Sequence, residues 1–164
     1  MTVKKLTALS VAVALAMVLS FIESLIPPLV AVPGVKIGLA NVVTVFLLYV
    51  FGWKEAATVS LIRVCLSALL FGSAVSLIYA ISGAALSFVG MLLLKMIPFS
   101  SEVSVSIAGG VLHNAGQIIA ACVIMENAAI FSYLPPLVIS GTVAGIAVGL
   151  LAAILIKKLH KIVK

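Results

Sequence analysis

The chain has 164 residues, of which 65% are hydrophobic and only 9% charged. A soluble domain carries about 25% charged residues, and a domain this small leaves much of its surface in water, so the composition excludes a soluble globular fold and points to an integral membrane protein. The net charge of +6 is concentrated in Lys4 and Lys5 at one end and Lys157, Lys158, Lys161 and Lys164 at the other, a pattern that suits anchors against anionic lipid headgroups and not the basic stripe of a nucleic-acid-binding surface.

Apolar runs, punctuated by Pro, Gly and charge, predict six membrane helices in one transmembrane domain covering residues 1–164. The first spans residues 5–26. Its Lys pair and apolar stretch resemble the start of a signal peptide, but the stretch is long enough to cross a bilayer, and the rest of the chain is equally apolar. It stops at Pro27 and Pro28. The second span covers 37–51 and ends at Gly52, Trp53 and Lys54. The third covers 55–70, followed by a tight turn at Phe71, Gly72 and Ser73. Spans two and three are shorter than the ~20 residues usual for a crossing. The fourth covers 74–96 and stops before Pro98, the fifth 104–125, and the sixth 134–156, with Pro135 and Pro136 at its start. The connections leave no room for a second domain.

An even number of spans puts Lys4, Lys5, Lys54, Lys95 and the C-terminal lysines on one side, whereas the opposite loops hold only Lys36. The positive-inside rule then places both termini in the cytoplasm of a plasma-membrane protein.

Polar groups within membrane helices are costly and are functional candidates. Arg63 lies mid-way along span three, as a ligand-binding cation or as a buried structural one. On span five, His113 and Gln117 are four residues apart and share a face, with Asn114 adjoining Gln117 at spacing three. Gly109, Gly110 and Gly116 around them permit close approach of another backbone or a ligand; helix–helix hydrogen bonding is the alternative. Asn41 and Thr44 share a face of span two, Lys36 precedes them, and Glu23 closes span one. Glu23, Lys36, Asn41, Thr44, Arg63, His113, Asn114 and Gln117 can gather in an outward-facing polar cavity whose basic balance suits an anionic or strongly polar small molecule.

Two stripes of small residues at spacing four, Ala8/Ala12/Ala16 and Gly141/Gly145/Gly149, allow close helix approach; for the glycines, packing inside the bundle is expected. Cys65 and Cys122 sit in apolar runs and read as free buried thiols. The sequence has four Glu and no Asp. It contains no phosphate-binding loop ending in Lys-Ser or Lys-Thr and no HExxH or Cys-x-x-Cys pattern. No metal site, cofactor or catalytic residue is therefore expected.

The segments Val35-Lys36-Ile37-Gly38-Leu39-Ala40-Asn41-Val42-Val43-Thr44 and Gly110-Val111-Leu112-His113-Asn114-Ala115-Gly116-Gln117 resemble the Gx transporter family, whose members often carry the label heptaprenyl diphosphate synthase component I. That family looks related to the S components of energy-coupling factor (ECF) transporters. The resemblance covers nearly the whole chain. It implies a compact six-helix bundle with both termini inside, binding a vitamin-like solute from outside. It also implies partnership with a membrane T component and two cytoplasmic ATPases. An Ala-x-x-x-Ala pattern on the first helix of S components contacts the T component, which assigns docking to Ala8, Ala12 and Ala16. The label implies instead a membrane subunit of a prenyl diphosphate synthase. Such enzymes hold diphosphate through magnesium on Asp clusters, so with no Asp the chain is expected not to be an enzyme. A stand-alone secondary carrier is a third reading, which predicts an inverted repeat.

Overall fold

The computed structural model describes residues 3–26 and 38–163, with side chains as far as residue 159. Its order is α1 (Val3–Ser24), α2 (Asn41–Val50), α3 (Trp53–Phe71), α4 (Ala74–Lys95), α5 (Glu102–Ile124), a short 3-10 helix (Ala128–Tyr133) and α6 (Leu134–Val163). No strand occurs among the described residues. The expected helices are all present, with ends displaced by a few residues. The start of span two at Ile37, and Lys36 before it, lie outside the described residues.

Among the described residues, four segments are long and apolar enough to cross a membrane: α1, α4, α5, and the run Ala128–Leu159 that joins the 3-10 helix to α6. The other two of the six predicted spans fall short for different reasons. At ten residues, α2 reaches only about 15 Å. With 19 residues, α3 has the length, but Lys54, Glu55 and Arg63 interrupt its apolar character.

Large apolar side chains face outward. Leu69 is 77% exposed, Val123 71% and Ile139 66%, whereas Arg63, Glu23 and Gln117 are buried. Apolar outside and polar inside reverses the order of a soluble protein, because the surrounding lipid is itself apolar and rewards no burial of hydrocarbon. This is the surface of a membrane protein.

Local chemistry sets the helix ends. Ser73 caps α4: its Oγ accepts from the Ser76 amide at 3.2 Å, while the Ser73 amide donates to Ser76 Oγ at 2.7 Å. Ser101 caps α5 through the Ser104 amide. Pro135 and Pro136 stand in the first turn of α6, where a helix loses nothing by lacking amide donors. At the end of α2, Lys95 Nζ reaches back from α4 to donate to the Leu48 carbonyl at 2.6 Å.

An ion pair between Lys5 and Glu55 puts the start of α1 beside the start of α3, and Lys95 adds the end of α4 to that group. On α6, Gly149 lies against Val103 near the start of α5. The start of α1 and the C-terminal half of α6 therefore occupy the same end of the bundle. An apolar core containing Ala16, Leu47, Leu48, Val59, Met91 and Val105 fills that end. A second, built on Tyr79, Ile118, Ala121 and Leu137, packs the opposite end.

The closest helix packing is α5 against α4 and α6. A Cβ placed on Gly110 would lie 2.5 Å from the Gly141 carbonyl oxygen, and one on Gly141 would lie 2.9 Å from that of Gly110. No side chain larger than hydrogen fits. Gly145 and Gly149 continue the same seam along Ile107 and Val103, so the glycine stripe of α6 packs inside the bundle as its spacing suggested.

Candidate functional site

Besides Asn41 and Thr44 on α2, three helix faces carry buried polar side chains at helical spacing. On α3 they are Ser60, Arg63 and Ser67; on α1, Ser20 and Glu23; on α5, His113 and Gln117. Separations of three and four residues keep each set on one face. Ser20, Arg63, Ser67, His113 and Gln117 of these faces meet around one cleft.

Between them lies a cleft of about 450 Å³, its open mouth included. Arg63 and Ser67 of α3, Ser20 of α1, and His113 and Gln117 of α5 supply its polar wall. Val64, Ala68 and Ala80 supply the apolar wall, and Gly72 and Ser76 carry the cleft to the α3–α4 turn. Polar groups from three helices within mainly small apolar walls make a setting suited to a small molecule.

Among the described residues, Arg63 is the one Asp, Glu, Lys or Arg side chain on this wall. It is 8% exposed, and its Nη2 donates to Asn41 Oδ1 on α2 at 3.2 Å. Its Nε has no hydrogen-bond partner among the described residues, although a guanidinium carries five N–H donors. Ser20 Oγ on the same wall is likewise without one. The Glu23 carboxylate lies within electrostatic reach of Arg63, but it does not line the cleft. It accepts instead from the backbone amide of Gly38, fastening the end of α1 to the residues before α2. A cation held among membrane helices is costly, so an arginine facing a cleft with a donor unpartnered among the described residues is an expensive feature.

The α4 backbone sets the positions of His113 and Gln117. A Cβ on Gly83 would lie 2.8 Å from the His113 carbonyl oxygen and 2.9 Å from Gln117 Cγ. The glycine thus lets α4 press directly on α5 beside the two side chains that enter the cleft.

The structure therefore brings Arg63, His113 and Gln117 onto one wall and sets Asn41 and Glu23 around Arg63 from outside it. Thr44 is buried one turn along α2 from Asn41 and does not line the cleft. Asn114 turns away: its Nδ2 donates to the Leu137 carbonyl at 2.8 Å, which ties α5 to α6. Lys36 lies outside the described residues.

The alanine stripe of α1, expected to dock a T component, faces the bundle. Ala12 and Ala16 are 7% and 2% exposed and sit in the apolar core with Leu47, Leu48 and Val59, and Ala8 is half-buried. The stripe packs α1 onto its own bundle. The side chains that α1 turns outward are large, among them Leu15 and Val18.

Sequence reasoning missed Ser20 and Ser67 as lining residues. Spacing could have found both. Ser67 lies one turn beyond Arg63 on the same face, and Ser20 lies one turn beyond Ala16 on the face that Glu23 completes.

Among the described residues no group of three or more His, Cys, Asp or Glu is placed to hold a metal ion. A family model described as heptaprenyl diphosphate synthase component I matches residues 12–155. Neither the curated proteins nor the solved structures provide a match.

Proposed function

The chain belongs to the heptaprenyl diphosphate synthase component I family, and we propose that it is a solute-binding membrane subunit, the S component of an ECF-type uptake transporter. Its solute would be a small polar, vitamin-like or isoprenoid-related molecule taken from outside the cell. The observation that carries this reading is the cleft: a buried arginine with a spare donor, flanked by Ser20, Ser67, His113 and Gln117. A merely structural arginine would be expected to have its donors satisfied by neighbouring helices.

In this reading all six helices form the membrane bundle, with α2 and α3 sheltered by their neighbours. The lysine-bearing end that holds both termini faces the cytoplasm, and the cleft opens towards the outside. Reorienting a loaded subunit needs energy, and this sequence contains no ATP-binding loop. A T component and two cytoplasmic ATPases would supply it. The alanine stripe being buried, docking would use the outer, large-residue faces of the bundle.

The family's name favours a second reading, a membrane subunit of a prenyl diphosphate synthase. The two readings separate in one experiment. The protein is purified from its native membranes, its co-purifying proteins are identified, and its turnover of prenyl diphosphates with magnesium is assayed. A T component and ATPases, with no turnover, support the transporter. A prenyltransferase partner and product formation overturn it.

A further inference from the structure

Building on the solute-binding reading of the cleft, we infer that the solute is an oxyanion, a carboxylate or a phosphate ester, seated on Arg63, and that Glu23 is an internal counter-charge competing with it and not a group that touches it.

The charges carry the argument. Among the described residues Arg63 and Glu23 are the two buried members of the Asp, Glu, Lys and Arg set. Only Arg63 faces the cleft, and no carboxylate lines it. A cation entering would meet a like charge with no anion on the wall. A neutral solute could accept from the guanidinium but would leave its charge uncompensated in a low-dielectric setting, where unpaired charge is the costliest. An oxyanion accepts from these donors and forms the stronger, charge-assisted bonds. Ser20 Oγ on the same wall is a further donor without a partner.

Glu23 holds the opposite sign close by, with an oxygen taken by the Gly38 amide. In the empty site it partly neutralises Arg63, and towards an arriving anion it is repulsive. Its role is therefore the reverse of a contact residue's. Removing its charge strengthens anion binding, whereas removing a contact would weaken it.

The cleft also limits size. Its enclosed part is small, about 40 Å³, roughly the space of two or three waters. Gly72 at its mouth is nine residues beyond Arg63 on the same chain segment, about 13 Å of helix. An acid group seated at Arg63 fits this space, and any longer body lies in the open part along Val64, Ala68 and Ala80.

The test uses the full chain purified from membranes as wild type, Arg63→Gln, Arg63→Lys and Glu23→Gln. Retained small molecules are released by denaturation, split between aqueous and organic phases, and identified by mass spectrometry. Benzoate, benzamide and inorganic phosphate serve as added probes in thermal-shift assays. The expected result is a retained acid, reduced about tenfold or more in Arg63→Gln, intermediate in Arg63→Lys, and increased in Glu23→Gln. Benzoate or phosphate should stabilise the protein where benzamide does not. An acid in the aqueous phase identifies a soluble solute, and one in the organic phase a lipid headgroup; both support the oxyanion. A retained neutral or cationic solute overturns the inference while leaving the binding role intact, and weaker retention in Glu23→Gln overturns the part assigned to Glu23. Should Arg63→Gln fail to fold, the sign of the Glu23→Gln effect still decides. No retained molecule in any preparation, with no stabilisation by any probe, overturns the solute-binding reading itself.

Discussion

The guanidinium of Arg63, half-way along α3, donates to the side-chain oxygen of Asn41, the first residue of α2, across 3.2 Å. This contact joins the short helix to the cleft wall, and it occupies one of the few acceptors that a buried arginine has available. Replacing Asn41 with Ala removes that acceptor. The expected cost is about 1–3 kcal/mol of stability, read as a lowered unfolding temperature in detergent. Because the freed donor is adjacent to the cleft, a retained solute should restore part of the loss. Unchanged stability in Asn41→Ala would show that the contact contributes nothing.

Gly110 and Gly141 meet backbone to backbone. Gly110→Ala places a methyl group 2.5 Å from a carbonyl oxygen that belongs to the opposing helix backbone, so α5 and α6 must separate. Overpacking of this kind costs about 1–3 kcal/mol. Thermal unfolding of Gly110→Ala beside a control such as Leu150→Ala, on the outward face of α6, should show a clear drop for the former and little change for the latter.

Asn114 is separated in role from its neighbours on α5. Asn114→Ala breaks the bond to the Leu137 carbonyl; interhelical hydrogen bonds in membrane proteins are worth about 0.6 kcal/mol, up to about 1.7. A small loss of stability with solute retention unchanged is expected. The comparison is Gln117→Ala, which should reduce retention. If Asn114→Ala abolished retention while the fold held, Asn114 would belong to the site after all.

Ala16 tests the packing role of the stripe. With Leu in its place, the core around Leu47 and Leu48 must expand, at about 1–3 kcal/mol. The isolated chain should then unfold at lower temperature with no partner present. Wild-type stability combined with loss of a co-purifying partner would return the stripe to docking.

The helices were legible because Pro, Gly and charge punctuate the apolar runs: Ser73 after Gly72 opens α4, the paired prolines start α6, and Lys95 closes α4. The facing of each helix was not. In lipid the outward side is apolar as well, so the alternation that reveals the buried face of a soluble helix is weak, and Ala12 and Ala16 read equally well as core or as docking surface. Polar residues escape this ambiguity. Arg63, His113 and Gln117 have few tolerable places in a membrane other than the bundle interior, and all three reach one wall of the cleft. Their neighbours depend on tertiary packing alone. Nothing in the order of residues ties Asn41 to Arg63, aims Asn114 at Leu137, or joins Glu23 to Gly38. Serine is common enough in membrane helices that Ser20 and Ser67 carried no signal until Arg63 gave their faces a meaning.

In the reading proposed above, the cleft beside Arg63 holds a small solute. Ala68 lines its apolar wall, and Ala68→Phe fills the space without removing any polar group. Native mass spectrometry of the detergent-purified chain measures occupancy directly. The account predicts a small-molecule adduct on the wild-type protein and none on Ala68→Phe. An adduct equally abundant on both proteins, or on neither, would contradict it.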